Sequence, residues 1–489
     1  MRVRAGSLCV LLGLAGCVTH RYETPAVLST EALFRADMPL AHDRTIADLP
    51  WQSLFSDAKL RALIAEGLAH NLDLKIAMAR IEQARANLAQ SRAAFAPDVA
   101  ANANYAVSRQ LTAGTRSPRI TVVQVGASAS WELDLWGKLR SQKRAAEAAL
   151  EESWAYRNGV QTQLVADIAN AYYALIAYDR ELVITEEALR IRIEDVETVK
   201  ALKQGAVVTG ADVVQSEANR YAAEVALPDI KRDIRETEHA LSILLARPPR
   251  AIERATLEEQ AILTELPLGV PAALLANRPD VRAAEMAFRS AFELTNAART
   301  YFYPALTLTG AAGSASRDIG GLFGPGTFIG NVVGGLTQPL FNRGLNRQRL
   351  RVARAQQEEA LDQFRSTFLR AGQEVSNALF AYQMAAEKAA ARAHQLEALG
   401  KAVEFTKALL RYTSSTNYVD VLTAEQSLLS AQISAINDRL QQLQAVVNLY
   451  RALGGGWRAP ASTSAPAPAS TMAPLPERPP QPLPPTAPQ

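Results

Sequence analysis

Histidine, cysteine, aromatic residues and long apolar runs are all scarce in this chain, and each scarcity closes off a class of function. The five histidines (His20, His42, His70, His239 and His394) lack the close spacing that holds a metal, and no glycine-rich phosphate loop occurs. With no nucleophile, metal or phosphate constellation, neither an enzyme nor a cofactor is expected. Beyond residues 5–16 there is no long apolar stretch, which excludes membrane-spanning helices; any passage through a bilayer must be made by strands. Net charge is small as well. The formal +3 includes Arg2 and Arg4, so the rest of the chain sits near +1 and offers no overall field for nucleic acid or anionic lipid. Aromatics make up 6% of the residues although 48% are hydrophobic. Alanine supplies much of the difference, which suits helices that pack backbone to backbone around a thin core.

Two arginines followed by an apolar, uncharged run have the layout of a secretory signal peptide over residues 1–16, too short to span a bilayer. The run ends Leu14-Ala15-Gly16-Cys17, which resembles the lipobox of bacterial lipoproteins. That resemblance implies cleavage before Cys17 and acylation of its thiol. Val18 stands where aspartate would favour retention at the inner membrane, so the resemblance favours the outer one. Cys9 leaves with the signal, and Cys17, alone, can form no intramolecular disulfide.

The chain repeats itself. Residues 73–97 and 280–304 align at an offset of 207 through similar alanine-rich text. Leu135-Trp136-Gly137 then matches Leu340-Phe341-Asn342, Ala177-Tyr178 matches Ala381-Tyr382, and Asp212-Val213-Val214 matches Asp420-Val421-Leu422. After a lipidated N-terminal segment (17–56), a first repeat is expected over 57–250 and a second over 277–457, joined by a linker or equatorial segment, 251–276. A tail rich in proline, alanine, serine and threonine, 458–489, reads as disordered.

Each repeat opens with a helix, 58–94 or 280–299, and then changes period from 3.6 to 2. Val99, Ala101, Ala103, Tyr105 and Val107 alternate with Asn102, Asn104 and Ser108; Val123, Val125, Ala127, Ala129, Trp131 and Leu133 alternate with Gln124, Ser128, Ser130 and Glu132. Strands are expected over 98–109, 120–133, 305–317 and 327–340, apolar on one face and polar on the other. A soluble sandwich would show the same alternation. Aromatics at corresponding strand ends (Phe95, Trp136, Tyr303 and Phe341) favour a membrane barrel with its interfacial girdle. Long helical hairpins follow over 138–246 and 344–453; a proline-free first arm of about 65 residues makes a rod of about 100 Å. Four strands cannot close a barrel, so copies must associate; eight, twelve or sixteen strands are all open to such arithmetic.

Four stretches carry a family resemblance: Trp51-Gln52-Ser53-Leu54-Phe55-Ser56-Asp57, Trp131-Glu132-Leu133-Asp134-Leu135-Trp136-Gly137-Lys138-Leu139-Arg140, Asn277-Arg278-Pro279-Asp280-Val281-Arg282-Ala283-Ala284-Glu285 and Tyr303-Pro304-Ala305-Leu306. With the lipobox, the chain resembles outer-membrane factors of the TolC/NodT type, exit ducts of tripartite efflux pumps and of type I secretion. The resemblance implies an α+β fold: a β-barrel of four strands per protomer and twelve per homotrimer, continued by an α-helical coiled-coil barrel closed at its periplasmic tip. It implies an inner-membrane RND transporter and a periplasmic adaptor as partners. A type I duct for polypeptides and a non-conducting lipoprotein scaffold are the alternatives.

Asp212 and Asp420 occupy equivalent places just after the two tip turns. Either aspartate can simply cap a helix N-terminus. In a trimer, three copies of each could instead form carboxylate rings whose mutual repulsion raises their pKa values and attracts cations. Where TolC carries a basic latch residue four positions before the second aspartate this chain has Thr416, and where TolC carries a further carboxylate three positions after, it has Thr423. The expected gate is therefore Asp212, Asp420 and Tyr418 with packing. The expected adaptor-docking tips are Gly205, Val207 and Thr209 in the first turn and Ser414, Ser415 and Thr416 in the second.

Overall fold

The structure, a computed structural model, describes residues 19–25, 45–109, 119–261, 278–412 and 418–458. The signal segment, Cys17, the tip residues Ser414, Ser415 and Thr416, and the proline-rich tail from residue 459 lie outside them. A short α1 (Trp51–Leu54) leads into α2 (Ala58–His70) and α3 (Leu72–Ala93), then strands β1 (Asp98–Arg109) and β2 (Arg119–Leu133). The rod α4 (Lys138–Gln204) turns back as α5 (Gly210–Leu244). The order recurs as α6 (Pro279–Thr300), β3 (Ala305–Ser316), β4 (Phe328–Thr337), α7 (Leu345–Tyr412) and α8 (Tyr418–Ala452).

The stretch expected as one helix over 58–94 is two helices, broken at Asn71. Its backbone is non-helical (φ −50°, ψ 134°), its side-chain oxygen accepts the Leu74 amide at 3.1 Å, and its amide donates to the Leu244 carbonyl at 2.9 Å. One asparagine thus caps a helix and ties it to the end of α5. The rods persist because nothing interrupts them: α4 has 67 residues and α7 has 68, about 100 Å each. Pro228 lies within α5 and removes one helical donor there.

The strands form one antiparallel sheet in the order β1-β2-β3-β4. Register keeps the two faces separate across all four: Ala103 opposes Val125, Ala127 opposes Ala312, and Leu306 opposes Leu336, whereas Asn104 opposes Gln124, Ser130 opposes Thr309, and Ala311 opposes Asn331. Gly126 and Gly313 face each other so closely that a Cβ on Gly313 would stand 2.4 Å from the Val125 carbonyl oxygen. β4 ends at Thr337, three residues before the expected limit, because Pro339 has no amide to continue the ladder; the Gln338 side chain instead donates to the Phe302 carbonyl at 3.3 Å. β3 stops at Ser316, one residue short of the expected end. Within the chain β1 and β4 each have one unpaired edge.

Strand turns into rod through the Trp131–Arg140 text. Gly137 adopts φ 82° ahead of α4, Asp134 accepts the amides of Leu139 and Arg140, and Glu132 pairs with Lys138 at 2.9 Å. Trp136 donates its indole N–H to the Pro304 carbonyl at 2.7 Å and stacks on Tyr303, locking the two repeats together below the sheet. Trp131 does the same locally, donating to the Phe95 carbonyl.

The main core lies midway along the rods. Ile46, Trp51, Leu60 and Ile64 pack on Ile168, Tyr172, Leu175 and Ile176 of α4, Leu241 and Leu245, and Val447 and Leu449 of α8. Asp57 caps α2 there. Burial acts to raise its pKa, but hydrogen bonds from the Tyr172 hydroxyl, Gln260 and the Lys59 and Leu60 amides outweigh burial and hold the carboxyl below its usual value. Buried Arg278, from the second repeat's opening motif, binds Asp280, Glu374 and the Ala452 carbonyl. Residues 251–261, the described part of the expected linker, are pinned by Arg254 to Asp179 and Glu238.

Candidate functional site

Two places bear on function: the polar face of the sheet and the far end of the rods. The polar face carries Asp98, Asn102, Asn104, Gln124, Ser128, Ser130, Thr307, Thr309 and Asn331 in register. A hollow of about 370 Å³ lies on it, lined by Asp98, Ser128, Ser130, Thr309 and Asn331 among others. The opposite face exposes Val99, Tyr105, Val107, Val125, Leu308, Val332 and Leu336. Ile120, Val122, Ile329 and Val333 interrupt the polar face, but a sheet mainly polar on one side and apolar on the other is suited to separating water from hydrocarbon.

At the first tip, α4 ends at Gly205, whose amide donates to the Ala201 carbonyl. Gly205 itself has a negative φ of −78°; the left-handed position is Ala206 at 56°. The Val207 amide then reaches back to the Leu202 carbonyl at 3.0 Å, closing the turn, and Val207 is exposed. Thr209 caps α5 reciprocally with Asp212: the carboxylate accepts the Thr209 amide at 2.7 Å and its hydroxyl at 2.8 Å. Those two hydrogen bonds hold the Asp212 carboxyl below its ordinary range within one protomer. Asp420 is exposed in the first turn of α8.

Tyr418 is not a surface residue. It is buried with Val199, Val213 and Leu422, joining both tips in one apolar cluster, and its hydroxyl is hydrogen-bonded to Asp195 of α4. Burial, the Asp195 charge and that hydrogen bond all push the phenol pKa up.

The surroundings of Tyr418 were not singled out in the sequence. Asp195 lies beside Glu425, and its carboxyl is pushed up to about 6 by burial and by the Glu425 charge, against the opposing pull of Tyr418 and Lys407. Lys407 of α7 pairs with Glu425 at 2.5 Å. Arg192 donates to the Asn219 carbonyl at 2.6 Å and to Gln426, so α4, α5, α7 and α8 all meet here. The repeat offset held a clue: Lys407 and Glu425 correspond to Lys200 and Glu217, which pair at 3.3 Å in the first hairpin. Asp195 and Tyr418 have no such counterpart, because Ala402 and Gly210 stand at the matching places. Among the described residues no cluster of histidine, cysteine, aspartate and glutamate is arranged to hold a metal.

These features define a channel subunit of the outer membrane, with a membrane sheet on a helical periplasmic extension. The sequence profile described as "Outer membrane efflux protein" matches twice, over residues 63–247 and 270–455, and the chain belongs to that family. It is 31% identical over 463 residues to "Probable efflux pump outer membrane protein TtgC" of Pseudomonas putida, covering 91% of this chain and 93% of that one. Among solved structures, the outer-membrane channel OprN superposes with a TM-score of 0.81 at 26% identity, covering 90% of this chain and all of the other. The open-state MtrE channel of Neisseria gonorrhoeae gives 0.79 at 30% identity, over 90% and 98% of the two chains. The chain is thus the outer-membrane channel component of an efflux pump and works with other pump components. Family and relatives are transport channels and support efflux, not a polypeptide-secretion duct or a scaffold.

Proposed function

We propose that three copies close a twelve-stranded barrel over a helical tunnel and passively conduct substrates handed over by an inner-membrane RND transporter through a periplasmic adaptor. The observation that carries this reading is the four-stranded sheet with two unpaired edges and one apolar face: such edges cannot stand in hydrocarbon, so β1 of one copy has to pair with β4 of the next. The polar faces then line the pore, and energy is supplied at the inner membrane.

The gate in this proposal is Asp212, Asp420 and Tyr418. The two aspartates are exposed near the tip, where copies would converge, while Tyr418 holds the hairpins in the closed packing. Gly205, Val207 and Thr209, with Ser414, Ser415 and Thr416, form the docking tips for the adaptor. Asp420→Ala trimers in planar bilayers are expected to conduct more and to prefer cations less than the parent; unchanged conductance and selectivity would remove Asp420 from the gate.

Lipid anchoring at Cys17 belongs to the same proposal. Its support is the course of residues 19–25: His20 exchanges hydrogen bonds with Asn296, Tyr22 packs between Phe288 and Phe292, and Thr19 lies against Gly137 at the base of the sheet. A chain leaving Thr19 toward Cys17 starts at membrane level, where acyl chains insert. Mass spectrometry of the mature N-terminus should find an acylated Cys17, and an unmodified cysteine would overturn the anchor.

A further inference from the structure

The near-neutral net charge conceals one local excess. Arg109, the last residue of β1, and Arg119, the first of β2, are direct cross-strand partners at the end of the sheet far from the helices. Both share the parity of Val99, Tyr105 and Val107, so both extend the apolar, outward stripe, and both are exposed. Like charges placed opposite each other in a ladder destabilise it unless something neutralises them. Among the described residues neither arginine makes an ion pair, and the nine residues between them, 110–118, include no aspartate or glutamate. The other hairpin carries no such conflict at its outer end, where Ser314 opposes Phe328.

Height supplies the second argument. β1 has 12 residues; at about 3.3 Å each and a tilt of about 40° they rise about 30 Å, slightly more than the apolar band of about 25 Å around such barrels. The two guanidinium groups therefore stand at the outer rim of the hydrocarbon, with stems long enough to reach the headgroups. Guanidinium pairs bind phosphate through two parallel hydrogen bonds each.

We propose that Arg109 and Arg119 form a binding site for a phosphorylated lipid headgroup of the outer leaflet, one site per protomer on the outer wall of the barrel. The phosphate neutralises a pair that would otherwise repel, so the lipid fastens the β1–β2 hairpin in place.

The test uses the full-length protein purified from outer membranes in mild detergent, with the melting temperature of the assembled oligomer as readout. Added probes are lipid A bearing two phosphates, the same lipid A after dephosphorylation, and inorganic phosphate. The parent should be stabilised by several degrees with phosphorylated lipid A and by much less with the other two. The Arg109→Gln/Arg119→Gln double variant should lose most of that shift while melting no lower than the parent without lipid. Arg109→Lys/Arg119→Lys should retain part of it. A double glutamine variant that keeps the full shift would overturn the site; equal stabilisation by inorganic phosphate or by dephosphorylated lipid A would overturn the lipid phosphate as its occupant.

Discussion

The two helical hairpins are copies in sequence and opposites in chemistry near their tips. In the first, Lys200 reaches both Glu197 and Glu217 on the surface, a solvated arrangement of little energetic weight. In the second, the matching Lys407–Glu425 pair is drawn against Asp195, beneath the buried ring of Tyr418. Asp195 and Glu425 are partly buried there beside a lysine that is half exposed, and Tyr418 donates to Asp195. The ion pair is thus common to both copies, and Asp195 of the first copy and Tyr418 of the second extend only the Lys407–Glu425 pair into a polar cluster that joins α4 to α8. The contrast is therefore between a polar cluster shared by the two hairpins and an ion pair confined to the first.

Substitutions can break that asymmetry. Tyr418→Ala removes the ring at the centre of the tip cluster and should cost about 3 kcal/mol of local stability, seen as faster amide exchange in the last turns of α4 and the first of α8; unchanged exchange would mean the cluster is not cohesive. Lys407→Ala should cost about 1 kcal/mol, allowing for the lysine's exposure, while Lys200→Ala should leave exchange in the first hairpin within the scatter of the method. Equal effects of the two would erase the contrast.

The third concerns pH. Burial and the Glu425 charge push the Asp195 carboxyl up to about 6 from its ordinary value near 3.8. An acid whose folded pKa is raised favours the folded form in its protonated state, so its stabilising contribution is complete below about pH 4 and is lost as pH rises through about 6. Protection of the second hairpin tip should therefore be greater at pH 5 than at pH 7.5. Asp195→Asn should flatten that dependence and add about 1 kcal/mol at pH 7.5 once solvent screening is allowed for; a pH profile unchanged by the substitution would contradict the assignment. The smallest effect belongs to the first tip: Ala206→Gly relieves a left-handed alanine and should stabilise the turn by about 0.5–1 kcal/mol, read as slower exchange at the Val207 amide.

Much of this architecture was legible in the residues because it rests on local periodicity. Alternation in 98–109 and 120–133 reports faces that the ladder keeps in register, and within the Trp131–Arg140 text Glu132 and Asp134 find their partners within six positions, at Lys138, Leu139 and Arg140. Strand ends were less legible where one donor decides, as at Pro339. The break at Asn71 was hidden because asparagine in an alanine-rich helix gives no warning until its distant partner, the Leu244 carbonyl, is known. The Asp195–Glu425 cluster was hidden for the same reason: its members are more than 200 positions apart, and only three-dimensional packing makes two ordinary surface carboxylates into a pair. Asp212 illustrates the converse, since its capping role follows from Thr209 three residues earlier, whereas any ring of aspartates depends on other copies of the chain.

The most direct test of the channel account is the mass of the mature protein purified from outer membranes in mild detergent, joined to single-channel recording of the same sample in a planar bilayer. The account predicts a complex of three chains with a small, mostly closed, cation-selective conductance. A monomer or dimer that passes no current would contradict it.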